Sequence, residues 1–265
     1  MSIGRGTRIA LGIAATLILL FIYIPIALIF VYSVNAGDTP AWPPTGLSLH
    51  WWGVALANTG LQQAFLTSLS IALGATIIAL VLGTLAAIVV SRYEFFGRDS
   101  ISFVVIFPIA LPGIVTGMAL STTFAQVGFP LGLMAIVVGH ATFCIVIVYN
   151  NAIARLRRVS RSLEEASADL GADTWTTFRH ITFPALRSAM LAGALLAFAL
   201  SFDEVIVTIF TAGGVKTLPI WIFQSFRLNN QVPLVNVAGV VAIVLSVAPV
   251  YLATRLSSSV VGSRA

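Results

Sequence analysis

Residues 164–184 read EEASADLGADTWTTFRHITFP, a polar island between two long apolar blocks. They decide the fold, because a segment of this composition cannot cross a bilayer while its flanks can. The island reads as two short helices joined by a turn. Ser162 and Glu165, three residues apart, have the form of a capping box that satisfies the free amides of a first turn. Gly171 ends that helix, since the left-handed conformation after a last turn suits glycine. Asp173 is placed to cap a second helix carrying Trp175, Phe178 and Ile181 at intervals of three. Pro184 falls in the first turn of the next apolar helix, where a missing amide costs nothing. The expectation is a bent two-helix hairpin on a membrane surface.

Outward from the island, the chain is 58% hydrophobic and 9% charged, with a mean hydropathy of +1.02. Soluble domains are about half apolar and a quarter charged, so this is a polytopic membrane protein. The net charge of +5 does not point to nucleic acid, because the arginines are scattered at the ends of apolar segments and are not gathered on one face. The single cysteine, Cys144, lies inside an apolar run, which excludes a disulfide framework and a cysteine metal site. It reads as a small packing residue. No internal repeat of 20 to 50 residues is visible.

The apolar runs predict an all-α chain, one transmembrane domain over 1–265 with six spans. These cover about 9–34, 65–90, 101–124, 131–153, 185–212 and 232–256, with a polar loop over 155–184. The first run is too long for a secretory signal, whose apolar part is ~7–15 residues. The segment 35–62 has no Lys or Arg and holds Trp42, Pro43, Pro44, Trp51 and Trp52, either an interfacial aromatic belt or a surface for a partner. Within the third span Pro108, Leu111-Pro112-Gly113 and Gly117 predict a kink, or a broken helix of the kind that lines a translocation path. Of the 14 Lys and Arg, only Lys216 and Arg227 fall outside the segments on the side of the polar loop. The bias puts that loop and both termini in the cytoplasm.

Motifs for chemistry are missing. There is no G-x-x-x-x-G-K-[ST], no H-E-x-x-H and no G-x-S-x-G, so a P-loop nucleotide site and the common membrane hydrolases are excluded. Asp203 and Glu204 are the only acids within a predicted span, and an ionised group at a helix centre costs about 2.5–3.5 kcal/mol on insertion scales. On a continuous helix Ser201, Glu204, Thr208 and Thr211 form one polar stripe, with Asp203 about 100° away. Two readings stand: a hydrated solute path, or a salt bridge to Lys216, Arg227 or another subunit. His140, alone in the fourth span, reads as hydrogen-bonded to a neighbouring helix and is assigned no function. An intramembrane enzyme using Asp203, Glu204 and His140 is the alternative from another class.

Glu165-Ala166-Ser167, then Gly171-Ala172, then Ile181 and Phe183-Pro184 resemble the EAA loop of ABC importer permeases. Ser167 stands where that family usually has alanine. The resemblance implies the type I importer permease (MetI-like) fold in a bacterial inner membrane. It implies that Glu165, Ala166, Gly171, Ala172, Trp175, Phe178 and Pro184 form a coupling helix seated on a cytoplasmic ATPase dimer. The expected partners are that dimer, which would bind ATP and magnesium while this chain binds no cofactor, a second and similar permease subunit, an extracytoplasmic substrate-binding protein and membrane lipids. SFDEVIVTIFTAGG (201–214), TLPIWIFQSFR (217–227) and LPGIVTGMAL (111–120) are similar to the spermidine/putrescine branch, which implies a cationic polyamine as solute; amino acids, opines and related amines are the alternative. The broken third span, the acidic pair and the polar stripe make Pro112, Ser201, Asp203, Glu204 and Thr208 the expected path residues.

Overall fold

Inside a bilayer each backbone amide and carbonyl must be paired within its own segment, and a chain this apolar answers with helices. The computed structural model describes residues 4–227 and 232–262; Arg264, one of the arginines assigned to the loop side, lies outside them. In chain order the helices are α1 (Arg5–Ser33), α2 (His50–Ala57), α3 (Thr59–Arg92), α4 (Arg98–Ala110), α5 (Gly113–Gln126), α6 (Leu133–Leu156), α7 (Ser162–Asp169), α8 (Thr174–Thr177), α9 (Phe183–Phe202), α10 (Ile206–Thr211), α11 (Leu218–Ser225) and α12 (Val232–Gly262). A π turn, Phe178–Thr182, joins α8 to α9.

Five helical segments are long and apolar enough to cross a membrane singly: Arg5–Ser33, Thr59–Arg92, Leu133–Leu156, Thr174–Phe202 and Val232–Arg255. The expected third span is instead α4 and α5, which pass the same test only together and are bent by 107° at the break. With about 1.5 Å of rise per residue, halves of 13 and 14 residues reach ~20 Å each, short of the ~30 Å hydrocarbon core. This is a broken helix and no ordinary kink. The fifth span is also interrupted: α9 stops at Phe202, and α10 restarts at Ile206. Two segments outside the expected spans carry helix, α2 (His50–Ala57) and α11 (Leu218–Ser225).

Contacts sort the chain into two compact units. The first comprises Met1–Gln62 and Trp221–Ile243. In it Gly239 on α12 allows close approach to Ile29 on α1, whose Cγ2 would lie 3.3 Å from an added Cβ. The segment after α1 is folded by Asn35, whose Oδ1 accepts from the Thr45 amide and hydroxyl while its Nδ2 donates to Thr39 O. An antiparallel bridge pairs Asn35 with Leu47.

The second unit comprises Gln63–Ile220 and Val244–Ala265, and α6 is its axis. Without a hydrophobic drive between helices in lipid, close backbone approach through small residues does the work of packing. Gly83 on α3 and Gly193 on α9 both seat against α6 at Val148. A Cβ at Gly83 would meet Ile145 O at 2.8 Å, and one at Gly193 would meet Val148 Cα at 3.2 Å. Ala75, Ala79, Cys144 and Ala197 fill the layer beside them. Cys144 is buried there as a packing residue, its thiol 3.4 Å from Ala197 O.

Candidate functional site

The polar loop folds much as its residues dictate. Gly171 has φ +84°; its amide donates to Ala168 O and that of Ala172 to Ser167 O, the paired bonds of a Schellman C-cap closing α7. The Asp173 carboxylate accepts from the Thr176 amide at 2.7 Å and caps α8. The Thr176 hydroxyl and amide together hold the Asp173 carboxyl below the usual carboxylate range. The expected capping box is absent. Arg161 occupies the cap position of α7 with no side-chain bond, and the Ser162 hydroxyl pairs with Ser160 Oγ at 2.7 Å. Ser162 is already inside the helix, and the Glu165 amide it would have accepted from donates to Arg161 O.

Pro184 lies in the first turn of α9, but the helix does not begin there. The proline ring crowds the carbonyl four residues back, that of His180. The π turn sits at this point and relieves the clash, with the Phe183 amide reaching back to Phe178 O. The hairpin is therefore α7, then one helical run from Thr174 through α9.

Two adjacent glutamates take opposite roles. Glu164 points inward: its Oε2 is 2.9 Å from Arg92 Nε, and its Oε1 accepts the Thr182 hydroxyl at 2.9 Å. It ties α7 to the end of α3 and to the π turn. Ser167, buried, adds a bond to the Thr177 hydroxyl at 3.0 Å. Glu165 and Ala166 are exposed, as are Leu163, Leu170 (89%) and Trp175 (65%). Trp175 stacks on Phe178, their centroids 5.6 Å apart. Apolar side chains held out from a polar loop mark a contact surface. Nothing in the sequence separates Glu164 from Glu165, and the anchoring role of Glu164 was not foreseen.

The two helix breaks lie side by side. Pro112 is the N-cap of α5, and Gly113, the next residue, leaves room for Ile206 at the start of α10, with Ile206 Cγ2 3.3 Å from a hypothetical Cβ. One turn on, Gly117 receives Phe210, where a Cβ would come within 2.6 Å of the ring. Gly113 and Gly117 form a G-x-x-x-G row, a spacing that permits such approach and that was legible in the sequence. Gly139 on α6 admits Val207 in the same way, 3.2 Å from Val207 Cγ1.

The break after α9 is stabilised by its own side chains. Glu204 Oε1 accepts from the Val207 amide at 3.0 Å, and the Thr208 hydroxyl donates to Glu204 O at 2.8 Å. Side-chain groups thus replace backbone bonds and compete with a continuous helix. His140 bridges the gap, its Nδ1 2.8 Å from Ser201 Oγ and its Nε2 2.9 Å from Thr208 Oγ1. The Thr208 proton is committed to Glu204 O, so Nε2 carries the ring proton and Ser201 donates to Nδ1. The histidine is bonded to a neighbouring helix, as expected; that it spans a break was not.

This arrangement corrects the expected polar stripe. Ser201, Thr208 and Thr211 are buried, at 2%, 0% and 0% exposure, packed against α6 and not presented to a hydrated path. Ser201 faces His140 from the end of α9, and Thr208 and Thr211 face inward on α10, a separate helix. Among the described residues no basic side chain pairs with Asp203 or Glu204. Glu204 is half-buried and spent on its cap, whereas Asp203 is exposed and its carboxylate has no partner among the described residues. The structure brings Pro112 and the acidic pair to one place and removes Ser201 and Thr208 from the surface.

Broken membrane helices around a packed axis, with an anchored polar loop at one end of the spans, define an importer permease. The fold agrees: the chain matches a chain in the crystal structure of a bacterial ABC transporter involved in the import of the acidic polysaccharide alginate, with a TM-score of 0.71 at 18% identity, over 98% of this chain and 99% of that one. Residues 79–264 match the family of binding-protein-dependent transport system inner membrane components. The putrescine transport system permease protein PotI of Escherichia coli (strain K12) is 36% identical over 218 residues, 79% of this chain and 77% of its own length. The spermidine/putrescine transport system permease protein PotC of Haemophilus influenzae is 33% identical over 238 residues, 89% of this chain and 92% of its own. The chain belongs to this family: it is a multi-pass inner-membrane permease component of an ABC importer, not its catalytic subunit.

Proposed function

We propose that the chain imports a small polyamine of the putrescine or spermidine type, as one of two similar permease subunits working with an ATPase dimer and a binding protein. The observation that carries the reading is the unpartnered Asp203 carboxylate beside two helix breaks. A cation there would meet that carboxylate at the C-terminal end of α9, which carries about half a negative charge from its helix. The similarity to putrescine and spermidine permeases supports the same choice of solute. Glu204, capping α10, holds the shape of the break and leaves Asp203 to meet the solute.

The surface formed by Glu165, Ala166, Leu170 and Trp175 is the proposed seat of the ATPase, which would bind ATP and magnesium itself. The arginine bias of the loop segments supports a cytoplasmic loop and cytoplasmic termini. Closure of the ATPases would move the loop as a rigid body and alternate access to the break.

Uptake of radiolabelled putrescine by cells expressing this chain with its neighbouring transport genes tests the reading. Asp203→Asn should lower uptake about 10- to 100-fold, the equivalent of losing one charged hydrogen bond of ~1.5–3 kcal/mol, with the complex assembled. Glu204→Gln should lower the yield of complex instead. Full putrescine uptake by assembled Asp203→Asn, or uptake competed by neutral amino acids and not by polyamines, would reject the cationic path.

A further inference from the structure

At the loop end of the spans, a cavity of about 350 Å³ is lined by Arg92, Arg98, Arg157 and Arg161 together with Ser91 and Ser160, over an apolar wall that includes Ile153, Leu156 and Val159. No carboxylate lines it. Arg92 has its ion pair with Glu164 outside the cavity, and among the described residues Arg98, Arg157 and Arg161 have no acidic partner. Three of the guanidinium groups are held by the ends of the helices. Arg98 Nε donates to Val90 O at 2.6 Å and Arg161 Nη2 to Ser91 O at 2.7 Å, both carbonyls near the end of α3. Arg92 Nη1 reaches Leu156 O at 3.5 Å. That leaves Arg92 Nη2 buried with no hydrogen-bond partner, a donor whose desolvation is uncompensated.

Arg98, Arg157 and Arg161, without an acidic partner among the described residues, repel one another beside Arg92, and the buried unpaired donor of Arg92 needs an acceptor. A phosphate supplies both: its negative oxygens match the planar fork of arginine. The position selects the source. The cavity sits at the ends of α3 and α6 and the start of α4, where spanning helices meet the headgroup layer, and Val159 adds a partly exposed apolar side chain beside the buried Ile153 and Leu156. We infer that this cavity binds the phosphate of an anionic phospholipid headgroup, with the rest of the lipid leaving past Val159. Such a lipid would neutralise the junction of three helices next to the Arg92–Glu164 tie, so the loop would be firmest in an anionic membrane. This goes beyond the transport reading and does not depend on the solute.

The test uses the full-length chain purified in neutral detergent and equilibrated with equal amounts of phosphatidylglycerol and phosphatidylcholine, with retained lipid read by native mass spectrometry. The wild type should retain phosphatidylglycerol preferentially. Arg157 is the variant of choice, since its side chain is exposed and holds no backbone carbonyl among the described residues. Arg157→Gln should reduce the preference about fivefold, the equivalent of ~1 kcal/mol per basic residue at an anionic surface, without lowering the melting temperature of the lipid-free protein. Arg157→Lys should keep it. Equal retention of the two lipids by the wild type, or an unchanged preference in Arg157→Gln, overturns the site. Displacement of phosphatidylglycerol by inorganic phosphate, with the same thermal stabilisation, overturns the lipid as its occupant in favour of a free anion.

Discussion

Replacing Glu164 by glutamine separates the anchor of the polar loop from its outer surface. The change deletes the charge that faces Arg92 at 2.9 Å, where the two side chains are only 11% and 20% exposed, and it leaves the arginine without its counter-ion. Removing one partner of a buried pair costs about 3–5 kcal/mol. Residual water contact at both groups, and the bond a glutamine oxygen can still accept from Thr182, bring the expected loss to ~2–3 kcal/mol, or ~30- to 160-fold in the open population of the loop. Limited trypsinolysis in native membranes reads that population directly, at Arg158, Arg161 and Arg179, because cleavage of a transiently opened segment follows its opening free energy. Glu164→Gln should be cut ~30- to 160-fold faster, while Glu165→Gln, altering an exposed group, should be cut at the wild-type rate. A charge swap, Glu164→Arg with Arg92→Glu, should recover part of the protection. Equal cleavage of Glu164→Gln and wild type would refute the anchoring role, and faster cleavage of Glu165→Gln would transfer it to the neighbour.

Three further outcomes are expected. Gly171→Val places a β-branched residue at φ +84°, a strain of about 1–2 kcal/mol, and should loosen ATPase co-purification without removing the chain from the membrane; retained ATPase with full transport would argue against the loop as its seat. Gly83→Ala sets a methyl 2.8 Å from Ile145 O, where only backbone can yield, and should cost about 1–3 kcal/mol as lowered thermal stability in detergent; an unchanged melting temperature would show that α3 and α6 can part. A cysteine at Val127, beyond α5, should react with an impermeant thiol reagent from outside the cell and one at Asp173 should not; protection at Val127 would make α4 and α5 a re-entrant pair and not a span.

What was legible in the sequence was set by local physics. Gly171, Asp173 and the apolar runs act within a few residues, and the left-handed turn, the cap and the long helices follow from them. The 107° break was readable to half its extent: Leu111-Pro112-Gly113 announces an interruption, but its angle depends on Gly113 and Gly117 receiving Ile206 and Phe210 from a segment about ninety residues away. The second break escaped because Asp203-Glu204-Val205 holds no proline or glycine. It exists through Glu204 capping Val207 and His140 clamping Ser201 to Thr208, bonds that a one-dimensional stripe of polar residues cannot distinguish from a wet surface. Glu164 and Glu165 are chemically the same, and only the arrival of Arg92 from α3 assigns one inward.

The helical run Thr174–Phe202 joins the two places of interest. Its 29 residues at about 1.5 Å of rise each span ~43 Å, with Trp175 on the exposed loop at one end and the Asp203 break at the other. Along that length α9 is gripped by α6: Arg155 Nε bonds Ala185 O at 2.9 Å, Gly193 seats on Val148, and Ser201 bonds His140. Two helices locked at three levels move together, so a displacement applied at the loop cannot be absorbed by sliding between them; the π turn, where the hydrogen-bond ladder shifts register, is the softest point along the run. α10 is different in kind. It is six residues long, follows α9 through Asp203, Glu204 and Val205, and rests on α5 through Gly113 and Gly117 and on α6 through Gly139 and His140. A movement of the α6–α9 body would therefore be expressed where α10 meets α5, at the break that exposes the Asp203 carboxylate.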